Sequence, residues 1–333
     1  MAGQAVGQAA GALDPDCIAL IGLGEAGTAI ARGLAEQSGW LGEQSGWLGA
    51  RGRNARRLIG VDTALDDGGP KGAAIGAHAR QYGVALAGAY TPALAEAEMV
   101  FCQVPGVDAK AAAQAAVQVL KPGTVYLDIS TLTGKEAREI AGIVTASGLD
   151  YVDAAAVGGF ASQGYKARLL LAGPGAARAA AWMAPLGFET EVASDRAGDA
   201  SAIKIVRSIM MKGMEALSVE CLTLAWRQGI LDEVIACMRD VDEHGFREFI
   251  QMLLVTHMAH AKRRMEEMDK AMQNLRESGM EPLMTAATVA SHRRTVEAGA
   301  TTADGSKPSL ADALKILSER VVTPAVTPGE KTA

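Results

Sequence analysis

CIALIGLGEAG, Cys17 to Gly27, is the segment from which the rest of the chain is best read. Cys17–Ile21 is a continuous apolar run of strand length, and Thr28–Glu36 has helical composition. Between them Gly22-Leu23-Gly24-Glu25-Ala26-Gly27 fits GxGxxG, in the strand–turn–helix context that gives this short pattern meaning. Gly22 permits the tight turn. Gly24 lets backbone approach a pyrophosphate with no side chain between, and Gly27 lets helix and strand pack closely. The helix then offers free N–H groups and the positive end of its dipole to the phosphates. Gly22, Leu23, Gly24, Glu25, Ala26 and Gly27 are therefore expected to bind a dinucleotide.

Further strands are expected at Arg57–Val61, Met99–Val104 and Thr124–Ile129, with weaker candidates at Leu149–Val152, Ala167–Ala172 and Phe188–Val192. Strands alternating with helices predict an α/β Rossmann domain, a mostly parallel, doubly wound sheet. After Ala193 the apolar spacing becomes three and four, which predicts an all-α C-terminal domain with helices at Asp232–Met238, His244–His260, Ala261–Ser278 and Leu283–Ala298. The expected organisation is a disordered N-terminus over 1–15 and a dinucleotide-binding domain over 16–196. A helical substrate and oligomerisation domain follows over 197–320, then a disordered tail over 321–333. EQSGWLG at Glu36–Gly42 repeats without change at Glu43–Gly49, and this duplication lengthens the connection from the first helix to the second strand.

A chain of 333 residues, 49% hydrophobic and 21% charged, is long enough for two globular domains. A formal charge of −6 and interspersed signs give nucleic acid or an anionic membrane no basic surface to bind. Cys17, Cys102, Cys221 and Cys237 show no metal-ligand spacing, so no metal site is expected. Cys17 and Cys102 lie in strands. With no disulfide framework, no leader pattern and no long apolar run, a cytoplasmic protein is expected.

Asp62 ends the second strand, where a carboxylate accepts hydrogen bonds from ribose hydroxyls and repels a 2′-phosphate. It lies further than usual from Gly27, and one copy of the duplication accounts for part of the excess. This favours NAD over NADP as cofactor; the alternative is that Asp62 caps or turns the chain. Gln103-Val104-Pro105-Gly106 closes the third strand, either against the nicotinamide, with Val104 and Pro105 as cofactor contacts, or as an ordinary turn.

GLGEAG (Gly22–Gly27), DIST (Asp128–Thr131), DAAAVGG (Asp153–Gly159) and GDASAIK (Gly198–Lys204), in this order and spacing, resemble the β-hydroxyacid dehydrogenase family, which includes 3-hydroxyisobutyrate and 6-phosphogluconate dehydrogenases. SAIKIVRSIMMKGMEAL, Ser201–Leu217, is similar to a poorly characterised branch with a divergent C-terminal domain. The resemblance implies an NAD(P)-dependent dehydrogenase acting on a 3-hydroxy acid or the corresponding keto acid, as a homodimer or homotetramer. It implies Lys204 as catalytic acid/base, in a segment that Ala200, Ala202, Ile203, Ile205 and Val206 suggest is largely buried. Ser130 and the backbone of Gly158 and Gly159 would hold substrate. Ser208, one turn beyond Lys204, stands where the family has Asn. Glu266 and Glu267 stand where relatives carry a Lys-Asp pair, and Arg263 or Arg264 would supply the missing positive charge. An imine reductase is the second enzymatic reading, opposed by Lys204. A non-catalytic nicotinamide-binding sensor is the reading from another class. The adjacent Glu266 and Glu267 do not share a helix face, against the magnesium pair of a ketol-acid reductoisomerase.

Overall fold

The computed structural model describes residues 15–37, 57–66, 68–88, 90–243, 245–301 and 307–322. The expected disordered N-terminus (apart from Pro15) and the duplication beyond Gln37 lie outside these residues. By contacts the chain divides into two compact units, Met1–Ser208 and Ile209–Ala333.

The first unit is an eight-stranded sheet. In chain order its strands are β1 (Cys17–Ile21), β2 (Arg57–Val61), β3 (Val84–Leu86), β4 (Met99–Cys102), β5 (Val125–Asp128), β6 (Asp150–Val157), β7 (Arg168–Ala172) and β8 (Thr190–Ser194). The spatial order is β3-β2-β1-β4-β5-β6-β7-β8. All neighbours are parallel except β6 and β7, which are antiparallel. Helices α1 (Glu25–Gln37), α2 (Pro70–Gln81), α3 (Gly106–Ala116), α4 (Gly134–Ala146), α5 (Phe160–Gln163) and α6 (Ala176–Met183) connect the strands. The expected Rossmann architecture is present, and β1 and β2 have the bounds read from the sequence. The short strand β3 was not expected: only its first residue is buried, so it lacks the apolar run that marks the others.

Alternation along each strand sorts the core into two layers. Ile18, Leu20, Phe101, Leu127 and Leu171 pack with Ile30 and Leu34 of α1, Ile75 of α2 and Met183 of α6. Cys17, Ala19, Val100, Cys102, Tyr126 and Tyr151 pack instead with Ala109 and Ala113 of α3 and Ile140 and Val144 of α4. Alanine-rich helices lie close to the sheet, which suits a chain poor in aromatics.

A third contact fixes the loop after β6. Tyr165 is buried, and its ring lies so close to Gly33 in the middle of α1 that a Cβ at Gly33 would overlap it. Phe188 meets the same ring edge-on at 5.7 Å.

Helix α7 (Asp199–Gln228) leaves the first unit and enters the second, which also holds α8 (Leu231–Cys237), α9 (Arg239–Asp242), α10 (Phe246–Glu277), α11 (Leu283–Glu297) and α12 (Leu310–Ile316). The two helices expected at His244–His260 and Ala261–Ser278 are one continuous helix, α10. Ala261, the expected break, is fully buried inside it. Glu220, nearly buried, accepts from the N–H groups of Met284 and Thr285, each at 2.9 Å, and from Thr285 Oγ1 at 2.6 Å. It therefore satisfies the orphan donors at the start of α11 from another helix. His257 and His292 stack with centroids 4.9 Å apart. The expected tail from 321 is corrected at its start: Val321 is packed, and its carbonyl accepts from Arg294 at 2.7 Å. The remainder, 323–333, lies outside the described residues.

Gly-to-Ala changes inside helices ordinarily stabilise by about 1 kcal/mol. Gly33→Ala is expected to do the opposite, destabilising by roughly 1–3 kcal/mol through overpacking against Tyr165. Urea denaturation of Gly33→Ala and of Gly33→Ala with Tyr165→Leu checks it: the second change should recover part of the loss. A rise in stability for Gly33→Ala alone would refute the contact.

Candidate functional site

The sheet order reverses direction between β1 and β4, and the crevice beyond their carboxyl ends is where ligands bind in this architecture. The glycine-rich turn lies there. Gly22 adopts φ +90°, with its hypothetical Cβ 2.9 Å from the Gln103 carbonyl oxygen. A Cβ at Gly27 would collide with the Gly22 carbonyl, whereas one at Gly24 would meet nothing within 4 Å. Gly22 and Gly27 thus answer to packing, and Gly24 leaves open space at the N-terminus of α1, as the pyrophosphate role requires. Leu23 and Glu25 flank it, and an open groove of about 680 Å³ runs from Gly24 along α1 past Thr28 and Arg32.

Asp62 closes β2 beside this turn. Its Oδ2 accepts from the Leu23 N–H at 2.7 Å and its Oδ1 from the Ala64 N–H at 2.9 Å. It caps the short 3-10 turn at Thr63–Leu65 and ties the glycine-rich turn to β2. Each carboxylate oxygen keeps a second lone pair. Gln103 closes the other side: its Nε2 donates to the Gly22 carbonyl at 2.6 Å, while its buried Oε1 has no partner. Val104 and Pro105 follow, with Pro105 as the N-cap of α3. An open approach at Gly24 and an orphaned amide oxygen beside it fit a bound dinucleotide.

At the ends of β4 and β5 and midway along β6 the in-register residues Cys102, Asp128 and Asp153 form a buried polar row. Asp128 accepts from the Ser130 N–H at 3.0 Å and from the Tyr151 hydroxyl at 3.5 Å. Burial pushes its carboxyl up to about 6, and the nearby Asp153 charge adds to that rise. Burial pushes Cys102 up to about 12, which leaves it an inert thiol. Ser130, 4% exposed, stands at the end of this row, and Thr131 follows it.

Lys204 lies one turn into α7, half-buried, with Nζ donating to Thr131 Oγ1 at 3.4 Å. The expected burial of its segment is corrected: Ala200 is buried, but Ile203 and Val206 are 47% and 66% exposed. The first turn of α7 is seated on the sheet through Ala200 and Ser201, and these two residues lie beyond it. Ser208 follows one turn later, half-buried. Gly158, at φ +128°, and Gly159 lead from β6 into α5, where Ser162 donates to the Gly159 carbonyl at 3.2 Å. In the second unit Arg263 pairs with Glu267 on an exposed face, and Arg264 donates to Thr256 Oγ1 at 3.0 Å.

The structure thus brings Ser130 and Lys204 together through Thr131. Thr131, Asp128, Asp153 and Ser201 were not assigned roles from the sequence. For Asp128 the available signal was a polar residue ending an otherwise apolar strand, and for Asp153 a carboxylate inside one.

A sheet of this order, with this turn and crevice, defines a dinucleotide-binding α/β protein. Residues 72–186 match the family model of the NAD binding domain of 6-phosphogluconate dehydrogenase, and 225–295 match a domain of unknown function, DUF1932. The chain therefore joins a 6-phosphogluconate-dehydrogenase-like nucleotide-binding domain to a divergent C-terminal domain. One curated relative, an uncharacterised 28.5 kDa protein in the 7S RNA 5′ region of Methanothermus fervidus, is 26% identical over 31% of this chain. The alignment spans only 41% of that relative's length. A conserved protein of unknown function, described as structurally similar to 3-hydroxyacid dehydrogenases, superposes with TM-score 0.54 at 24% identity, covering 90% of this chain and 98% of its own. An imine reductase from Myxococcus stipitatus, in complex with NADP+, gives TM-score 0.67 at 16% identity over 90% and 99%. Among the described residues no helix is long and apolar enough to cross a membrane, and no cluster of three metal-ligating side chains occurs.

The Asp128 carboxyl has a pH signature. Its folded-state value of about 6 lies above the ordinary 3.8, so between these pH values the folded protein holds a proton that the unfolded chain has lost. Its contribution is most favourable below 3.8 and is lost as pH rises through about 6. Asp128→Asn is expected to remove this dependence, on the order of 2 kcal/mol between pH 4 and pH 8. Melting temperatures of wild type and variant across that range should converge at the acid end. Parallel curves would show that the carboxyl is not perturbed.

Proposed function

We propose that this chain is an NAD(P)-dependent oxidoreductase that interconverts a 3-hydroxy acid and its keto acid or semialdehyde, with Lys204 as general acid/base. The observation that supports this most is Lys204 Nζ at 3.4 Å from Thr131 Oγ1, beside Ser130, in a domain with a dinucleotide crevice. When bound, the nicotinamide supplies or accepts the hydride. Lys204 Nζ, as the neutral amine, takes the substrate hydroxyl proton during oxidation. As the ammonium it protonates the carbonyl oxygen during reduction. Ser130 and the N–H groups of Gly158 and Gly159 would orient the acid, and Ser208 would take the place of the family's Asn. Glycine N–H groups suit a carboxylate because nothing blocks the approach.

Asp62 supports NAD: its free lone pairs can accept from ribose hydroxyls, and its charge opposes a 2′-phosphate. Exposed Ile209, Met214, Leu217 and Trp226 on α7 support assembly with a second copy of the chain. Reduction of an imine is the second reading, favoured by the superposition on the imine reductase.

Turnover with a panel of 3-hydroxy acids, from small to aromatic, should fall at least ~100-fold in Lys204→Ala, with NADH binding retained. Activity on imines alone, persisting in Lys204→Ala, would replace the hydroxy-acid reading with the second one. For the cofactor, Asp62→Ala should weaken NADH and narrow its advantage over NADPH by about 10-fold. An unmoved ratio of the two affinities would remove Asp62 from the ribose site.

A further inference from the structure

We propose that Asp153 and Ser201 form a clamp that sets the position of Lys204, with both acting as positioning residues. The functional consequence rests on the general acid/base reading above; the clamp itself rests on geometry within the first unit.

Helix α7 begins without a cap of its own. The residue before it is Gly198, which has no side chain to offer, and Asp199 turns to Ser194 Oγ at 2.8 Å and to Arg196. The orphan N–H groups are instead served from the middle of the sheet. Asp153 is fully buried on β6. Its Oδ2 accepts from the Ser201 N–H at 3.0 Å, and its Oδ1 from Ser201 Oγ at 2.5 Å. The N–H groups of Gly198 and Ala200 also favour its charged form. Burial raises its carboxyl above the usual range all the same. Among the described residues no cation forms a salt bridge with it, so the positive end of the α7 dipole provides its compensation.

One further contact and the burial of Ser201 remove the freedom this leaves. Gly198 lies against the Gly134 carbonyl, closer than a Cβ would allow, so the start of α7 abuts the start of α4. Ser201 is 2% exposed and cannot swing into solvent. Lys204 follows Ser201 by one turn on the same helix face. Thr131 lies three residues before Gly134. The clamp therefore holds both ends of the Lys204–Thr131 contact to one point of the sheet. Each carboxylate oxygen of Asp153 accepts from Ser201, so its effect passes through Ser201.

The test uses the full chain labelled with [ε-13C]lysine, the Lys204 resonance being assigned by Lys204→Arg. Ser201→Ala should move the Lys204 titration midpoint by roughly half a unit or more. Ser201→Thr, which keeps the hydroxyl, should restore it. Asp153→Asn, similar in volume, should give a shift in the same sense and serves if Ser201→Ala does not fold. Turnover of the best acid in the panel should drop ~10-fold or more in kcat for Ser201→Ala, with NADH affinity within about 2-fold. A Lys204 titration curve superposable on wild type in Ser201→Ala and Asp153→Asn overturns the clamp. If the curve moves but Lys204→Ala retains full turnover, the clamp stands and the general acid/base reading fails.

Discussion

Everything in the first unit depends on how closely α1 can approach the end of β1. The Gly22 carbonyl faces a helix position with no room for a Cβ, and the same carbonyl accepts the Gln103 amide from β4. One residue further, the Leu23 N–H is held by Asp62 from β2. A single turn thus gathers three strands at the place where the sheet order reverses. A side chain at Gly27 would force α1 off β1, and the core layer of Ile30 and Leu34 would move with it. Gly24 stands among these packed positions with open space before it, so the tight packing around it frames an approach to backbone N–H groups.

The buried row of Cys102, Asp128 and Asp153 follows from strand alternation. Tyr126 and Tyr151 fall on the same face of the sheet, two residues before the aspartates, so the polar ends are continuous with an apolar layer. Carboxyls are tolerated there because each has donors at hand: the Ser130 N–H and Tyr151 hydroxyl for one, Ser201 for the other. Reversal of β7 and β8 matters to the second of these. Asp153 faces Ala172, and Ala172 faces Ser194 at the end of β8, so the chain arrives at α7 level with the aspartate.

Much of this architecture was legible in the sequence, for a simple reason. Strands such as Cys17–Ile21 are buried on both faces and read as unbroken apolar runs, whereas β3 is an edge strand with one buried residue and does not. The glycine-rich turn was readable because its residues are adjacent. The partners of Lys204 were not, since Ser201 meets Asp153 across 48 positions and Thr131 is separated from Lys204 by 73. Nor could composition show that Ile203 and Val206 stay exposed: apolar residues around a lysine suggest burial, but α7 is seated on the sheet only through its first turn. The break expected at Ala261 has no local cause: alanine favours helix, and in α10 it is fully buried in an uninterrupted run.

Gly33 and Tyr165 belong to distant parts of the chain, yet the ring occupies the volume in which a Cβ would stand. Neither position can drift alone. An enlarged residue 33 requires a smaller residue 165, and a smaller residue 165 uncovers a cavity over a helix whose centre is already glycine. The two sites should therefore change in concert across related chains, which makes the middle of α1 and the loop after β6 a single evolutionary unit.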